Sequence, residues 1–222
     1  MITVHHLENS RSQRVLWLME ELGVNYRIKQ YKRDPATMLG PESLKKIHPL
    51  GKSPVIKDGG HVIAESGAII EYLVDRYGEG RLIPPAGSDA RLAYTYWLHY
   101  AEGSLMPVLL LKLVFDRLAS PPMPLIMRPA AALIAMGVKG KFVGPRLKDQ
   151  LDFCEQSLRE TGWFAGDEFS AADIQMSFPM EAVVARGAAG DRPNIAAFVE
   201  RIHARPAYAK ALERGGPYDF AD

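Results

Sequence analysis

Apolar and polar positions alternate along ITVHHL (2–7) and YRIKQY (26–31), and both runs are rich in β-branched and aromatic residues, as strands are. Between them Val15, Leu16, Leu18, Met19 and Leu22 recur at helical spacing, and Gly23 stands where a helix would end. Strand, helix and strand in that order predict a βαβ unit with a right-handed crossover. A polar stretch with Asp34-Pro35 and Gly40-Pro41 follows, then a short helical piece around 42–47. PVIK (54–57) and HVIA (61–64) flank the turn Asp58-Gly59-Gly60, which is a hairpin signal. Ser66 then opens a helix with Ile69, Ile70, Leu73, Val74 and Tyr77 on its apolar face.

Beyond residue 82 the strand pattern stops. IPPAGSDA (83–90) carries Pro-Pro, Gly and Ser together, the composition of a linker. Helical periodicity then covers about 89–118, 124–138, 145–160, 171–186, 193–204 and 206–214. The expected architecture is an α/β domain over 1–82 in the order βαβ-α-ββα, a linker at 83–88 and an all-α bundle over 89–222. Within the bundle FSAADI (169–174) places Ser170 at an N-cap and Asp173 at N3, a capping box with Asp for Glu. Phe169 and Ile174 occupy the positions of a hydrophobic staple, so this motif reads as a folding instruction without chemistry.

Composition narrows the function class. Lys and Arg number 27 against 26 Asp and Glu, a balance that creates no field for nucleic acid or an anionic surface. Cys154 is the lone cysteine, so no intrachain disulfide can form, which suits a reducing, cytoplasmic setting. The first ten residues lack the basic-then-apolar order of a signal peptide. The most apolar region, 105–138, is broken by Lys112, Asp116, Arg117, Pro121-Pro122 and Arg128, and is therefore not expected to span a membrane. The six histidines show no metal-ligand spacing, and no metal is expected.

Candidate chemistry clusters in 50–73, LGKSPVIKDGGHVIAESGAIIEYL. Lys52 can pair with a ligand carboxylate, and Ser66 at a helix mouth can bind a second one together with free amides. Glu65 beside it can hold an ammonium, so the set matches an extended zwitterionic peptide. Pro54 cannot donate to a sheet, and a cis bond there would leave the Val55 backbone free to pair with a ligand as with a strand. The ordinary roles are a solvated lysine, a strand-initiating proline and a serine N-cap. Ser10, ahead of the first helix, is an N-cap by the same logic. A helix N-terminus also lowers the pKa of a thiol placed beside it. No cysteine lies between Glu8 and Arg14, so such a thiol would come from a ligand. Asn9 and Ser12 compete with Ser10 for that contact.

Taken together, SRSQRVLWLMEELG, YKRD, LKKIHPLGKSP, KSPVI, AESGAIIEYL and FSAADI resemble the cytosolic glutathione transferase superfamily, nearest its fungal and bacterial branch. The resemblance implies a thioredoxin-like N-terminal domain, a helical C-terminal domain and a homodimer. It implies a cis bond before Pro54, glutathione held by Lys52, the Val55 backbone, Glu65 and Ser66, and Ser10 stabilising the thiolate. Electrophiles would enter an apolar pocket between the domains, lined by Leu7, Tyr96, Tyr100 and Met106. The implied activity is attack of the glutathione thiolate on an electrophile, or reduction of a peroxide. A non-catalytic binder or scaffold on the same fold is the alternative, since fold alone does not decide between them.

Overall fold

The computed structural model describes residues 1–221, so Asp222 lies outside the described residues. Strands β1 (Ile2–Leu7), β2 (Tyr26–Tyr31), β3 (Val55–Asp58) and β4 (His61–Ala64) form one sheet in the order β2-β1-β3-β4. β2 runs parallel to β1 from Ile2↔Tyr26 to Leu7↔Tyr31, and β3 and β4 are antiparallel. β1 is buried at five of its six positions, as a central strand must be, while β4 is exposed or half-buried throughout at the edge. Helix α1 (Ser12–Leu22) buries Val15, Leu16, Leu18, Met19 and Leu22. It ends at Gly23 with φ +69°, where the Gly23 N–H reaches the Met19 and Glu20 carbonyls. The short α2 (Glu42–Lys45) and then α3 (Ser66–Tyr77) complete the βαβ-α-ββα order expected from the sequence.

From Asp89 onward the described residues are helical or in loops. α4 (Asp89–Tyr100) is capped by Ser88, whose Oγ accepts the Arg91 N–H at 3.1 Å. A wide π turn, Ala101–Leu105, joins it without a break to α5 (Met106–Arg117). The resulting 29-residue rod is long and apolar enough to cross a membrane by length and composition. Its inner face is committed within the protein, because Tyr94, Trp97, Leu98, Ala101 and Leu105 are buried in the same core as α8.

α6 (Arg128–Val138), a second π turn (Lys139–Val143) and α7 (Gly144–Thr161) form another unbroken run. The sequence pattern placed a helix end between 138 and 145. Instead, the wide turn absorbs Pro145, which lacks an N–H to lose. Gly144 permits this, since a Cβ there would lie 2.8 Å from the Lys139 carbonyl oxygen.

α8 (Ala171–Ala185) is buried at every position from Ala171 to Val183 and is the axis of the bundle, packed against α4, α1 and α9 (Pro193–His203), while α10 (Pro206–Gly215) lies on α1. Its capping box is formed: Asp173 accepts the N–H of Ser170 at 2.8 Å and its hydroxyl at 3.0 Å, and the Phe164 N–H at 2.8 Å. Burial pushes the Asp173 carboxyl up to about 6 even against these donors. Phe169 packs on Trp17 and Trp163, so the residue read as a staple also joins α1 to the bundle. Cys154 is fully buried, and burial pushes its thiol up to about 12, as befits a core residue.

Candidate active site

Three hydroxyls set the junction between β1 and α1. Ser53 donates to the His5 carbonyl at 2.8 Å and accepts the Leu7 N–H at 3.2 Å, which ties the loop before β3 to β1. Ser10 donates to the Leu7 carbonyl and pairs with the Ser12 hydroxyl, both at 2.7 Å. The Ser12 N–H bonds back to Ser10 Oγ at 3.2 Å, so Ser10 caps α1 from two residues ahead of its first turn. The Ser53–Pro54 peptide is cis.

Beside this junction lies a cleft of about 280 Å³ between the two halves of the chain. Lys52, Pro54, Glu65 and Ser66 all line it, together with Arg11, His48, Ser53, Glu102 and Leu110. The segment quoted as a cluster in the sequence is therefore one wall of a single cleft. Glu65, rather than Ser66, occupies the cap position of α3, with φ +71° and ψ 126°. This conformation is costly for a residue with a side chain, and such strain concentrates at ligand sites. Ser66 is the first helical residue and is buried. The first backbone bond back to this cap comes from Ile69 to the Glu65 carbonyl, so the amides of residues 66–68 face the helix mouth.

The opposite wall is charged. Arg11 Nε lies 3.0 and 3.1 Å from the two Glu102 carboxylate oxygens. Arg14, fully buried, donates to Glu102 and to the Gln175 carbonyl. Burial opposes ionisation of Glu102, but Arg14 and Arg11 outweigh it and hold its carboxyl below its ordinary value. The cleft thus presents cationic Lys52 and Arg11 with the α3 amides for anions and Glu65 for a cation, while the Glu102 carboxylate is already held by Arg11 and Arg14.

The remaining candidates lie elsewhere. Val55 is buried within the sheet, opposite His5 and Ala64. Ser10 is buried and its hydroxyl is engaged as described; it does not line the cleft. Asn9 Oδ1 accepts the Asp219 N–H at 2.9 Å, and Ser12, fully buried, sits 2.8 Å from His6 Nδ1. Leu7 packs with Tyr31 and Leu44 in a small separate core. Tyr96 and Tyr100 stack on each other and against Phe153 of α7, and the Tyr100 hydroxyl points to the Gln150 carbonyl. Met106 is buried in the main core. Leu110, one turn further along the rod, is the α5 side chain that reaches the cleft. The resemblance pointed to the right rod, but Tyr96 and Tyr100 turn to Phe153 of α7 and Met106 turns into the core. Arg11, His48, Glu102 and Leu110 escaped sequence reading; Arg11 is adjacent to Ser10, whereas nothing local marks Glu102.

Comparison with known proteins agrees with this geometry. The signature described as "Glutathione S-transferase, N-terminal domain" matches residues 1–75, and "Glutathione S-transferase, C-terminal domain" matches 143–206. Glutathione S-transferase 3 of Schizosaccharomyces pombe is 38% identical over 96% of this chain and 88% of its own length. Glutathione S-transferase 1 of Saccharomyces cerevisiae is 33% identical over 96% and 95%. The crystal structure of a glutathione S-transferase from Actinobacillus pleuropneumoniae superposes with a TM-score of 0.81 at 32% identity, covering 100% of this chain and 99% of that one. A four-stranded sheet, an all-helical second half and a charged cleft between them meet here with likeness along the whole chain: it belongs to the cytosolic glutathione S-transferase superfamily, whose members use glutathione as co-substrate.

Proposed function

We propose that glutathione lies extended across the cleft and that its thiolate attacks apolar electrophiles there. The observation that carries this reading is the placing of Lys52 and the α3 amides for carboxylates beside Glu65 for an ammonium, within one cleft. One carboxylate is met by Ser66 and the amides of 66–68, with the amino group on Glu65; the other meets Lys52. The peptide between them runs along the cleft past Ser53 and the cis bond before Pro54. Binding at the mouth of α1 favours the thiolate, whose proton passes to solvent; the carbon–sulfur bond then forms as the leaving group departs. Reduction of a peroxide by the same thiolate, a homodimeric assembly and a cytoplasmic location belong to this proposal.

Ser66→Ala is expected to weaken glutathione binding by roughly tenfold or more, the worth of a hydrogen bond to a charged group, while leaving thermal stability nearly unchanged. Calorimetry reads this directly, and an unaltered dissociation constant removes Ser66 from the site.

The thiolate partner has two readings. In the first, the Ser10 hydroxyl turns from the Leu7 carbonyl toward the sulfur. The second assigns the role to the Arg11 guanidinium, and is favoured by Arg11 lining the cleft where Ser10 does not. Ultraviolet titration of bound glutathione separates them. Loss of the true partner raises the thiol pKa by about one to two pH units. An increase in Ser10→Ala alone supports the hydroxyl, and an increase in Arg11→Ala alone supports the guanidinium. Binding with no thiolate signal in the parent protein would establish the non-catalytic alternative.

A further inference from the structure

The stretch from Pro129 to Val138 is ten residues without a single polar side chain. A helix apolar on every side is normally surrounded by protein or by lipid. α6 is surrounded by neither within this chain, since Ala131 and Ala135 are its only buried residues. Leu133 is 65% exposed, and Ile134 and Met136 are also exposed. The 3₁₀ turn that precedes it, Leu125–Met127, is more exposed still, with Leu125 at 76% and Ile126 at 87%. The surface continues onto α5 through a groove of about 650 Å³ lined by Leu113, Val114, Arg117, Leu118 and the turn 120–124. A contiguous apolar surface of this kind marks an interaction site.

Charge selects the occupant. Residues 112–146 hold six basic side chains, Lys112, Arg117, Arg128, Lys139, Lys141 and Arg146, and one acid, Asp116. That acid is already taken, at 2.6 Å by Lys112 and at 2.7 Å by Lys139. Arg117 and Lys141 have no ion-pair partner among the described residues, and Arg146 lies over the Phe142 ring at 3.7 Å. With a whole-chain charge of +1, the basic excess is local to this hairpin. A second copy docking the same face on itself would bring these cations together, which is repulsive. An anionic bilayer satisfies both features, because acyl chains take the apolar residues and phosphates take the basic rim.

We propose that the hairpin of residues 118–146 is a docking surface for anionic membranes, with Leu125, Ile126, Leu133, Ile134 and Met136 seated at the headgroup boundary. The protein then rests on the bilayer without crossing it. Leu110 and Val114 share the exposed face of α5, so the surface leads from the bilayer toward the cleft.

The test is cosedimentation of the full-length protein with vesicles of phosphatidylserine and phosphatidylcholine, without glutathione, so that its result is independent of the cleft's ligand. Binding to mixed vesicles, absent on pure phosphatidylcholine and weakened by high salt, is expected. Ile126→Ser with Ile134→Ser, and separately Arg117→Glu with Lys141→Glu, should each lower partitioning by at least about tenfold. These side chains are exposed or at the groove mouth, and unchanged thermal melting of each variant confirms its fold. Ile126→Cys provides a second readout, since Cys154 is buried and an environment-sensitive dye would label residue 126 selectively. A blue shift on mixed vesicles is expected there. Failure to bind mixed vesicles, or binding that both pairs leave intact, overturns the proposal. A concentration-dependent dimer dispersed by Ile126→Ser with Ile134→Ser, without vesicle binding, overturns it in favour of a second copy.

Discussion

Arg14→Ala is expected to destabilise the protein by about 3–5 kcal/mol, the cost of removing one partner from a buried ion pair. Arg14 leaves α1 fully buried and reaches across to Glu102 on the π turn and the Gln175 carbonyl of α8, so it is a bond between the two halves of the chain. Without it, Glu102 keeps only Arg11, and the Gln175 carbonyl loses its donor. The pH dependence carries a second signature. Glu102 titrates below its ordinary 4.5 in the folded protein, so the pair contributes stability above that value. This contribution disappears as the pH falls through the lower, folded value. Chemical denaturation at neutral and acid pH should therefore show a large difference between parent and variant at pH 7 that narrows toward pH 3. A constant difference would separate the cost of Arg14→Ala from its pairing with Glu102. Because Glu102 also holds Arg11 in the cleft, the variant is expected to bind glutathione more weakly even under conditions where it is folded.

Glu181→Ala is expected to cost about 3 kcal/mol or more. Glu181 is buried on α8, where it accepts the hydroxyls of Tyr208 at 2.6 Å and Tyr218 at 2.7 Å and lies 3.1 Å from His203 Nε2. Two hydrogen bonds to a carboxylate are worth about 1.5–3 kcal/mol each. Losing the acceptor strands two buried phenols. Tyr208 belongs to α10 and Tyr218 to the segment after it, so the carboxylate clamps the end of the chain onto the bundle axis. α10 in turn lies on α1 so closely that a Cβ at Gly215 would come within 2.8 Å of Gln13 Oε1 and Leu16 Cδ1. Glu181→Gln, which keeps an acceptor oxygen, should lose roughly half as much. Hydrogen exchange should show faster opening of 206–221 in Glu181→Ala than in the parent. Uniform acceleration across the whole chain would mean that the clamp is not local.

Most elements were legible because their signals are local. The β1 and β2 alternation, the α1 stripe ending at Gly23, the Asp58-Gly59-Gly60 turn and the Ser170–Asp173 box each state a backbone preference within a few residues. Lys52, Pro54, Glu65 and Ser66 were legible as a group for the same reason, since a hairpin brings the start of β3 beside the end of β4. The electrophile side was not. Tyr96 and Tyr100 have the chemistry of pocket residues, but which face of α4 meets the cleft depends on how the rod packs, and both rings turn to Phe153 of α7.

The sequence by itself determined the order of elements and the side chains of one wall of the cleft. Tertiary structure alone decided that Glu102 comes to Arg11 and Arg14 from 91 and 88 residues away, and that α6 faces outward. The physical reason is range. Propensity, capping and turn chemistry act over a few residues, whereas ion pairing, burial and exposure depend on which distant segments the packed core brings together.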